Sequence, residues 1–274
     1  MKMSVENYIR LYANSSSELI ELMQMLYPSS PNEFANKSCF INEHIKVSVL
    51  SLSERTMQWL EEDYGVRVNH SLSFRYFSYS DCNSTDELIY VLKQIVYRLN
   101  CDLLYQPNGD NPVMVRRSGI LLFDDYFERY FGKGASDSLR EQNRIKITAD
   151  MSMEEIMERC VDKFGEDFNW FMLPEEKREA VFVPELRLEL GDDDPFFDGQ
   201  VYAIYKCEAN DDMLFQSVRK DGTELWRIYH LTYAHRRERE GFPIRWNFES
   251  GQEAAEFIIN QYVKDNESCG ITLS

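Results

Sequence analysis

The sequence feature that most restricts the possible folds is an uninterrupted stripe of apolar residues at helical spacing in the first half of the chain. Apolar side chains recur at helical spacing from Leu88 to Leu99 over about three turns. Ser84 and Glu87 precede the stripe with the spacing of a capping box, in which the serine accepts from a backbone amide and the glutamate reaches back to the cap. The pattern predicts a long amphipathic helix whose apolar face is buried against other elements.

Strand signals lie on both sides of this helix. Leu72, Phe74 and Tyr76 alternate with polar residues, which predicts a strand within residues 66–79. The other predicted strands of the first half are at residues 5–12, 39–41, 45–52, 101–105, 113–116 and 120–123. Helices are predicted at residues 18–26, capped by Ser17, and at residues 53–65. We therefore expect an α+β domain over residues 1–130, with a mixed sheet and flanking helices.

The remainder of the chain predicts a second, smaller α+β domain. Residues 131–170 form a bridging segment with a helix that begins at the Ser152–Glu155 capping box. Residues 171–274 form the acidic second domain, with a short helix at Pro174 and a last helix that begins at Ser250. Its strands are predicted at residues 181–190, 200–207, 213–229 as a hairpin, and 242–248 at a sheet edge.

Charge restricts the classes of partner. The chain has 274 residues and a net charge of −17, and residues 131–274 carry 18 basic and 30 acidic residues. Because phosphate and anionic lipid headgroups repel such a surface, we expect neither nucleic acid nor a membrane as a partner. The six cysteines are scattered without a C-x-x-C motif, and the N-terminal sequence does not read as a signal peptide. A cytoplasmic location with reduced cysteines is therefore expected.

Common catalytic motifs do not fit the sequence. Residues Gly132–Gly134 lack the spacing of a phosphate-binding loop, and Glu175-x-Lys177 is predicted on a helix, where a nuclease would need a strand. The four histidines lack further donors at metal-ligand spacing, so we expect no metal and no cofactor. A Cys–His pair assembled in space stays open as an alternative. The expectation is a protein that is not an enzyme.

The most unusual segment is the acidic run at residues 191–199. It contains two adjacent phenylalanines among four aspartates, which gives this candidate partner-binding set: Asp192, Asp193, Asp194, Phe196, Phe197 and Asp198. The carboxylates would steer a basic partner and the aromatic rings would anchor it. A solvated loop and a cation site are the alternatives. An EF-hand is excluded because Phe197 stands where that loop requires glycine.

A family pattern runs from residue 56 to residue 125. The pattern begins with a glycine and an apolar residue, Gly65–Val66, before a predicted strand that contains Ser71–Arg75. The predicted helix Glu87–Leu99 follows, and then the segments Asp102–Gly109, Val113–Arg117 and Gly119–Leu122. This order resembles the bacterial immunity proteins that accompany swarming-inhibition toxins. The resemblance covers about residues 5–125. The chain departs from the family pattern by Gln106-Pro107 before Asn108-Gly109 and by its long acidic second half.

The resemblance implies neutralisation of a toxin by stoichiometric binding, without turnover, a cofactor or catalytic residues. We therefore expect an intracellular immunity-type protein whose partner is a basic protein toxin, with the oligomeric state left open. Two alternatives come from other classes: an enzyme with a spatially assembled site, and a scaffold or adaptor domain. A deep reactive cleft would favour the enzyme, and a large exposed aromatic patch would favour the adaptor.

Overall fold

The chain divides into two structural units. A computed structural model describes residues 6–30, 38–42, 44–76 and 83–268. Unit 1 comprises residues 1–144 and 266–274, and unit 2 comprises residues 145–265. The division falls inside the segment predicted as a bridge, which is itself largely helical.

Unit 1 contains a seven-stranded sheet. Its strands are β1 (Glu6–Leu11), β2 (Cys39–Ile41), β3 (Ile45–Ser51), β4 (His70–Tyr76), β5 (Leu103–Gln106), β6 (Met114–Arg117) and β7 (Ile120–Phe123). Their order is β2-β3-β4-β1-β5-β6-β7, and the strand pairs are antiparallel rather than mixed. The α+β class is confirmed. The predicted strand at residues 66–79 is shorter, and residues 77–79 lie outside the described part of the chain.

The helices of unit 1 are α1 (Ser16–Leu26), α2 (Glu54–Tyr64), α3 (Asn83–Arg98), α4 (Asp125–Phe131) and α5 (Ala135–Asn143). The first three begin close to the predicted positions, and the last two, α4 and α5, were not predicted. Ser15 caps α1 by accepting from the Glu18 amide, so the prediction of Ser17 as the cap is wrong. Helix α3 begins at Asn83, one residue before the predicted cap Ser84. The Ser84 side chain lies outside the described part of the structure, so its capping role stays a prediction.

The apolar stripe of α3 lies in the main core of unit 1. Leu88, Val91, Leu92 and Ile95 are at most 1% exposed and belong to a cluster that includes Ile9 of the central strand β1. A smaller cluster packs under α2, and its buried members are Leu60, Val66, Val68, Leu104 and Val115. The predicted amphipathic helix is therefore one of the helices that cover the main core.

Unit 2 contains a five-stranded antiparallel sheet in the order β12-β11-β10-β9-β8. Its strands are β8 (Trp170–Met172), β9 (Gln200–Cys207), β10 (Asp212–Val218), β11 (Glu224–His230) and β12 (Ile244–Phe248). The predicted hairpin is present as β10 and β11, and β12 lies at the sheet edge as its Pro243 indicated. The short strand β8 was not predicted from the sequence.

The helices of unit 2 are α6 (Met153–Phe164), α7 (Val183–Leu190) and α8 (Gly251–Ser268), of which α8 continues three residues past the boundary at residue 265. Ser152 and Glu155 form the predicted capping box of α6. One α-helical turn at Glu175–Lys177 and a π-helical turn at Arg178–Phe182 lead into α7. Among the described residues, no helix is both long enough and apolar enough for a membrane span.

The predicted strand at residues 181–190 is wrong, because this segment is helical. Leu186, Leu188 and Leu190 alternate with polar residues, which imitates a half-buried strand. In the structure Glu185, Leu186 and Glu189 are the buried residues of α7. The buried face of the helix is thus partly charged, so its helical period is hidden from a hydrophobic pattern.

Candidate functional site

The acidic loop (residues 191–199) joins α7 to β9. Its first residues form a turn, and Pro195–Asp198 form one 3-10 turn. Asp194 caps this turn, because its carboxylate accepts from the Phe196 amide at 2.8 Å. The sequence therefore folds this loop through local side-chain hydrogen bonds of the kind that aspartate favours.

Asp194 has a structural position. Its carboxylate lies 3.8 Å from Arg227 and 3.9 Å from Arg245, and the side chain is only 17% exposed. The Arg227 guanidinium also lies over the Phe196 ring, 4.7 Å from its centre. Asp194 thus neutralises two arginines of the sheet and is poorly placed to meet a partner.

The two phenylalanines of the loop have different environments. Phe196 is fully buried and packs edge-on against Tyr229, with ring centres 5.6 Å apart. Its ring therefore belongs to the core of unit 2, which removes it from the surface available to a partner. Phe197 is partly exposed, and the Arg187 guanidinium lies 4.2 Å from its ring centre. Only Phe197 is at the surface.

Asp192 and Asp193 remain accessible although each has an arginine neighbour. Asp192 pairs with Arg187 at 3.2 Å and is 86% exposed, while Asp193 pairs with Arg237 at 2.9 Å and is 70% exposed. The hydrogen bond from Arg237 lowers the pKa of Asp193 below its usual value. Exposed pairs of this kind contribute about 0–1 kcal/mol, so a partner's cations can replace the arginines at small cost.

Asp198 is also exposed, at the end of the 3-10 turn. The structure therefore brings Asp192, Asp193, Phe197 and Asp198 together at the surface, and it places Asp194 and Phe196 inside. Buried and exposed side chains in a loop do not recur at a fixed spacing, as they do in a helix or a strand. The sequence of the acidic run therefore could not show which of its residues are exposed and which are buried.

A cavity of about 590 Å³ lies beside the acidic loop. Its charged lining consists of four carboxylates and three arginines, namely Asp194, Glu189, Glu238, Glu240, Arg237, Arg239 and Arg245. Because the two signs are interleaved, their charges compensate locally and favour neither a simple anion nor a cation. The mixed-charge run at residues 236–240 has the composition of a solvated helix, but the backbone there consists of turns and irregular structure.

Two buried glutamates of α7 hold residues 232–235, the segment just before the cavity-lining residues 237–245. Glu189 is 1% exposed and accepts from the Thr232 amide at 2.9 Å and the Tyr233 amide at 2.6 Å. Glu185 accepts from the His235 amide at 3.0 Å and contacts His235 Nδ1 at 2.6 Å. Burial raises the pKa of Glu189, although the amide hydrogen bonds oppose the shift.

The clamped segment contains strained backbone. Tyr233 and His235 have φ values of 51° and 55°, a left-handed conformation that non-glycine residues rarely adopt. Such residues cost about 1–3 kcal/mol and persist only where surrounding contacts hold them. The hydrogen bonds that Glu185 and Glu189 accept from residues 232, 233 and 235 supply those contacts. The spacing of Glu185 and Glu189, which places both carboxylates on one face of a helix, was the sequence signal that could have identified the clamp.

The histidines are placed in local hydrogen bonds. His70 is 7% exposed, and its ring nitrogens contact Ser16 Oγ at 2.9 Å and Asn69 Oδ1 at 2.7 Å. Burial lowers the pKa of His70. His230 contacts Asp212 at 2.8 Å. Across the described residues, no group of three or more potential ligands has the geometry to hold a metal ion.

The residues of the family pattern have structural roles in unit 1. Asp102 accepts from the Arg67 amide at 3.0 Å and from the Ser118 amide at 3.2 Å, which joins two loops. Asn108 adopts a left-handed conformation with φ of 56°, as a turn after β5 requires. Arg116 is fully buried and donates to backbone carbonyls. These residues of the family pattern therefore stabilise the loops and the helix end that connect the strands of this sheet.

Comparisons with known proteins returned no match: no family model, no curated protein and no solved structure is similar to this chain at a significant level.

Proposed function

We propose that the protein is an immunity-type protein that neutralises a basic protein toxin by stoichiometric binding. The observation that carries the proposal is the exposed acidic surface of the loop, where Asp192, Asp193 and Asp198 face solvent on a chain of net charge −17. A surface of this sign accelerates encounter with a basic protein and favours its orientation. Nuclease toxins carry such basic surfaces because their substrate is anionic.

Binding would proceed by exchange of ion pairs. Arg187 and Arg237 hold Asp192 and Asp193 in ordered positions, and the partner's cations then replace them. Phe197 would supply the apolar contact beside these charges. This mode of action requires neither a cofactor nor catalytic residues, and nucleic acid and membranes are not its targets. The sequence resemblance over residues 5–125 supports the same function.

Growth rescue tests the proposal. Cells that express a candidate toxin, sought first among the genes beside this one, should grow when they also express this protein in the cytoplasm, and the two proteins should co-purify as a complex of fixed composition. An unrelated acidic protein of similar size serves as the control for charge alone. Equal growth with and without this protein would contradict the proposal.

The amount of this protein that the same cells need for growth distinguishes binding from enzymatic detoxification. If binding alone protects, growth should require at least as many copies of this protein as of the toxin. Full protection by a small fraction of that amount would favour the alternative enzyme instead, because only turnover lets one molecule disarm many.

A further inference from the structure

A second concave surface in unit 2 lies where two helices begin. The first turns of α6 and α8 meet over strands β9–β11 and enclose a groove of about 500 Å³, a size typical of ligand sites. Gly251 opens α8, and a Cβ at this position would lie 3.2 Å from the Trp226 ring. The missing side chain therefore lets the helix end approach the ring and shape the groove.

The floor of the groove is apolar and aromatic. Met153, Met172, Tyr205 and Trp226 contribute to its lining. Met172 is 41% exposed, which is high for a large apolar side chain and leaves it available for contact. Thioether side chains adapt their shape to an incoming group, and a tryptophan ring attracts cations. The floor thus suits the aliphatic stem of a long side chain.

The rim of the groove is negative. Glu154, Glu224 and Glu249 line it, and Arg178 is the one basic residue among the lining residues. The Arg178 Nε is already engaged, since it donates to the Leu173 carbonyl at 2.7 Å. Glu224 accepts from Trp226 Nε1 at 3.0 Å, which fixes the carboxylate beside the ring.

The carboxylates on the rim are not the ones that cap the two helices. Glu155 accepts from the Ser152 amide and Glu253 accepts from the Glu249 amide, each at 2.7 Å, so these two carboxylates stabilise the helix ends. Glu154 and Glu249 have no basic side chain within ion-pair distance in the part of the chain that the structure describes. Glu154 and Glu158 also add to the effect of burial in raising the pKa of Tyr205 to about 12.

We propose that this groove binds an arginine or lysine side chain of a basic protein partner. The cationic head would lie among Glu154, Glu224 and Glu249, and the stem would pack on Met153, Met172 and Trp226. The inference rests on the proposed function, because the partner is taken to be the basic toxin and the inference specifies which of its side chains unit 2 binds. Unlike the acidic loop, the groove offers carboxylates that need not first release an arginine.

Titration of the full-length protein with a single side-chain probe tests the groove without any toxin. The probe is acetyl-arginine amide, and its matched control is acetyl-citrulline amide, which has nearly the same shape but no charge. Binding is followed by NMR of the tryptophan indole N–H signals, with Trp226 assigned from the Trp226→Phe variant. We expect a saturable shift of the Trp226 signal with the arginine probe and about tenfold weaker binding of citrulline.

Variants locate the binding on the rim. Glu154→Gln combined with Glu249→Gln should weaken the arginine probe about tenfold, because both substitutions remove exposed charges without disturbing a cap. Glu166→Gln combined with Glu208→Gln removes two exposed charges outside the groove lining and should leave the affinity unchanged. Equal binding of citrulline, or equal affinity of both double variants, would overturn the proposal.

Toxin protection distinguishes the two proposals. Loss of protection by the Glu154→Gln, Glu249→Gln variant would support the groove as a docking site. Normal protection by this variant, together with specific binding of the arginine probe to the unaltered protein, would refute the groove's role in toxin binding but leave the immunity function intact. Absence of protection by the unaltered protein would refute the proposed function. The probe titration tests cation binding in the groove independently of that result.

Discussion

Arg116 shows how one charged side chain can organise a helix end. It is fully buried, and its guanidinium donates to the carbonyls of Val96, Leu99 and Cys101. These carbonyls lie at or just beyond the C-terminal turn of α3, where backbone acceptors have no helical partner. Burial lowers the pKa of Arg116, but an arginine keeps its charge in proteins. Arg116 therefore acts as an internal cap for the longest helix of unit 1.

Replacing Arg116 by methionine tests this role. Arg116→Met keeps the unbranched stem but leaves the carbonyls without donors, so we expect a loss of about 3 kcal/mol in the free energy of unfolding. Urea denaturation followed by circular dichroism measures the change. Arg98→Met at an exposed position of the same helix should change stability by less than about 0.5 kcal/mol. Equal denaturation midpoints for the two variants would contradict the capping role.

His70 should make stability depend on pH. Burial lowers its pKa from 6.5 in the folded state, so the unfolded chain binds more protons as the pH falls below 6.5. The stability that neutral His70 contributes is therefore complete above pH 6.5 and decreases as the pH falls toward the folded-state pKa. Melting temperatures between pH 7.5 and 5.5 should fall less for His70→Gln than for the unaltered protein. Parallel curves would refute this linkage.

Helix α7 shows how buried charge positions a neighbouring segment. Glu185 and Glu189 are 5% and 1% exposed, and both accept backbone hydrogen bonds from residues 232–235. They hold Tyr233 and His235 in left-handed conformations. The helix thereby fixes the segment that leads into the cavity-lining residues 237–245.

Glu189→Gln should loosen this clamp. Glu189 Oε1 accepts from both the Thr232 and Tyr233 amides, and Oε2 also accepts from Thr232. Glutamine removes the charge and places an NH2 donor against the Thr232 amide, so we expect a loss of about 1–3 kcal/mol and faster hydrogen exchange of these two amides. Glu176→Gln, at an exposed position before α7, should leave both exchange rates unchanged. Unchanged exchange in Glu189→Gln would show that other contacts hold the segment.

The contrast between α3 and α7 explains which elements the sequence could predict. Helix α3 buries an apolar stripe, so its period is visible in the sequence. Helix α7 buries two glutamates whose partners lie more than 40 residues away, so its alternating leucines imitated a strand. The same reason applies to the candidate site. The acidic run was visible, but the burial of Asp194 and Phe196 depends on Arg227 and Tyr229 from a distant strand.

At the scale of the whole molecule, negative charge is the property that connects the structure to the proposed function. Residues 131–274 carry 18 basic and 30 acidic residues, and the acidic loop and the groove both belong to this half of the chain. Long-range attraction of this kind mainly raises association rates and weakens as salt screens it.

The loop's contribution can be measured by association kinetics. The triple variant Asp192→Asn, Asp193→Asn, Asp198→Asn should associate with the toxin about tenfold more slowly at low salt, with a flatter salt dependence. Asp194 is left unchanged because it neutralises Arg227 and Arg245 of the sheet. Glu166→Gln, Glu208→Gln, Glu256→Gln removes the same charge elsewhere. Equal on-rates for both triple variants would exclude the loop from the interface.

The most direct test of the whole account is a titration of purified toxin with the purified full-length protein. If the protein acts by occupying the toxin, toxin activity should fall linearly and reach zero at a fixed molar equivalence, and intact toxin should be recovered after the complex is dissociated in denaturant and refolded. Complete inactivation at a small fraction of an equivalent, or undiminished activity in excess protein, would contradict neutralisation by stoichiometric binding.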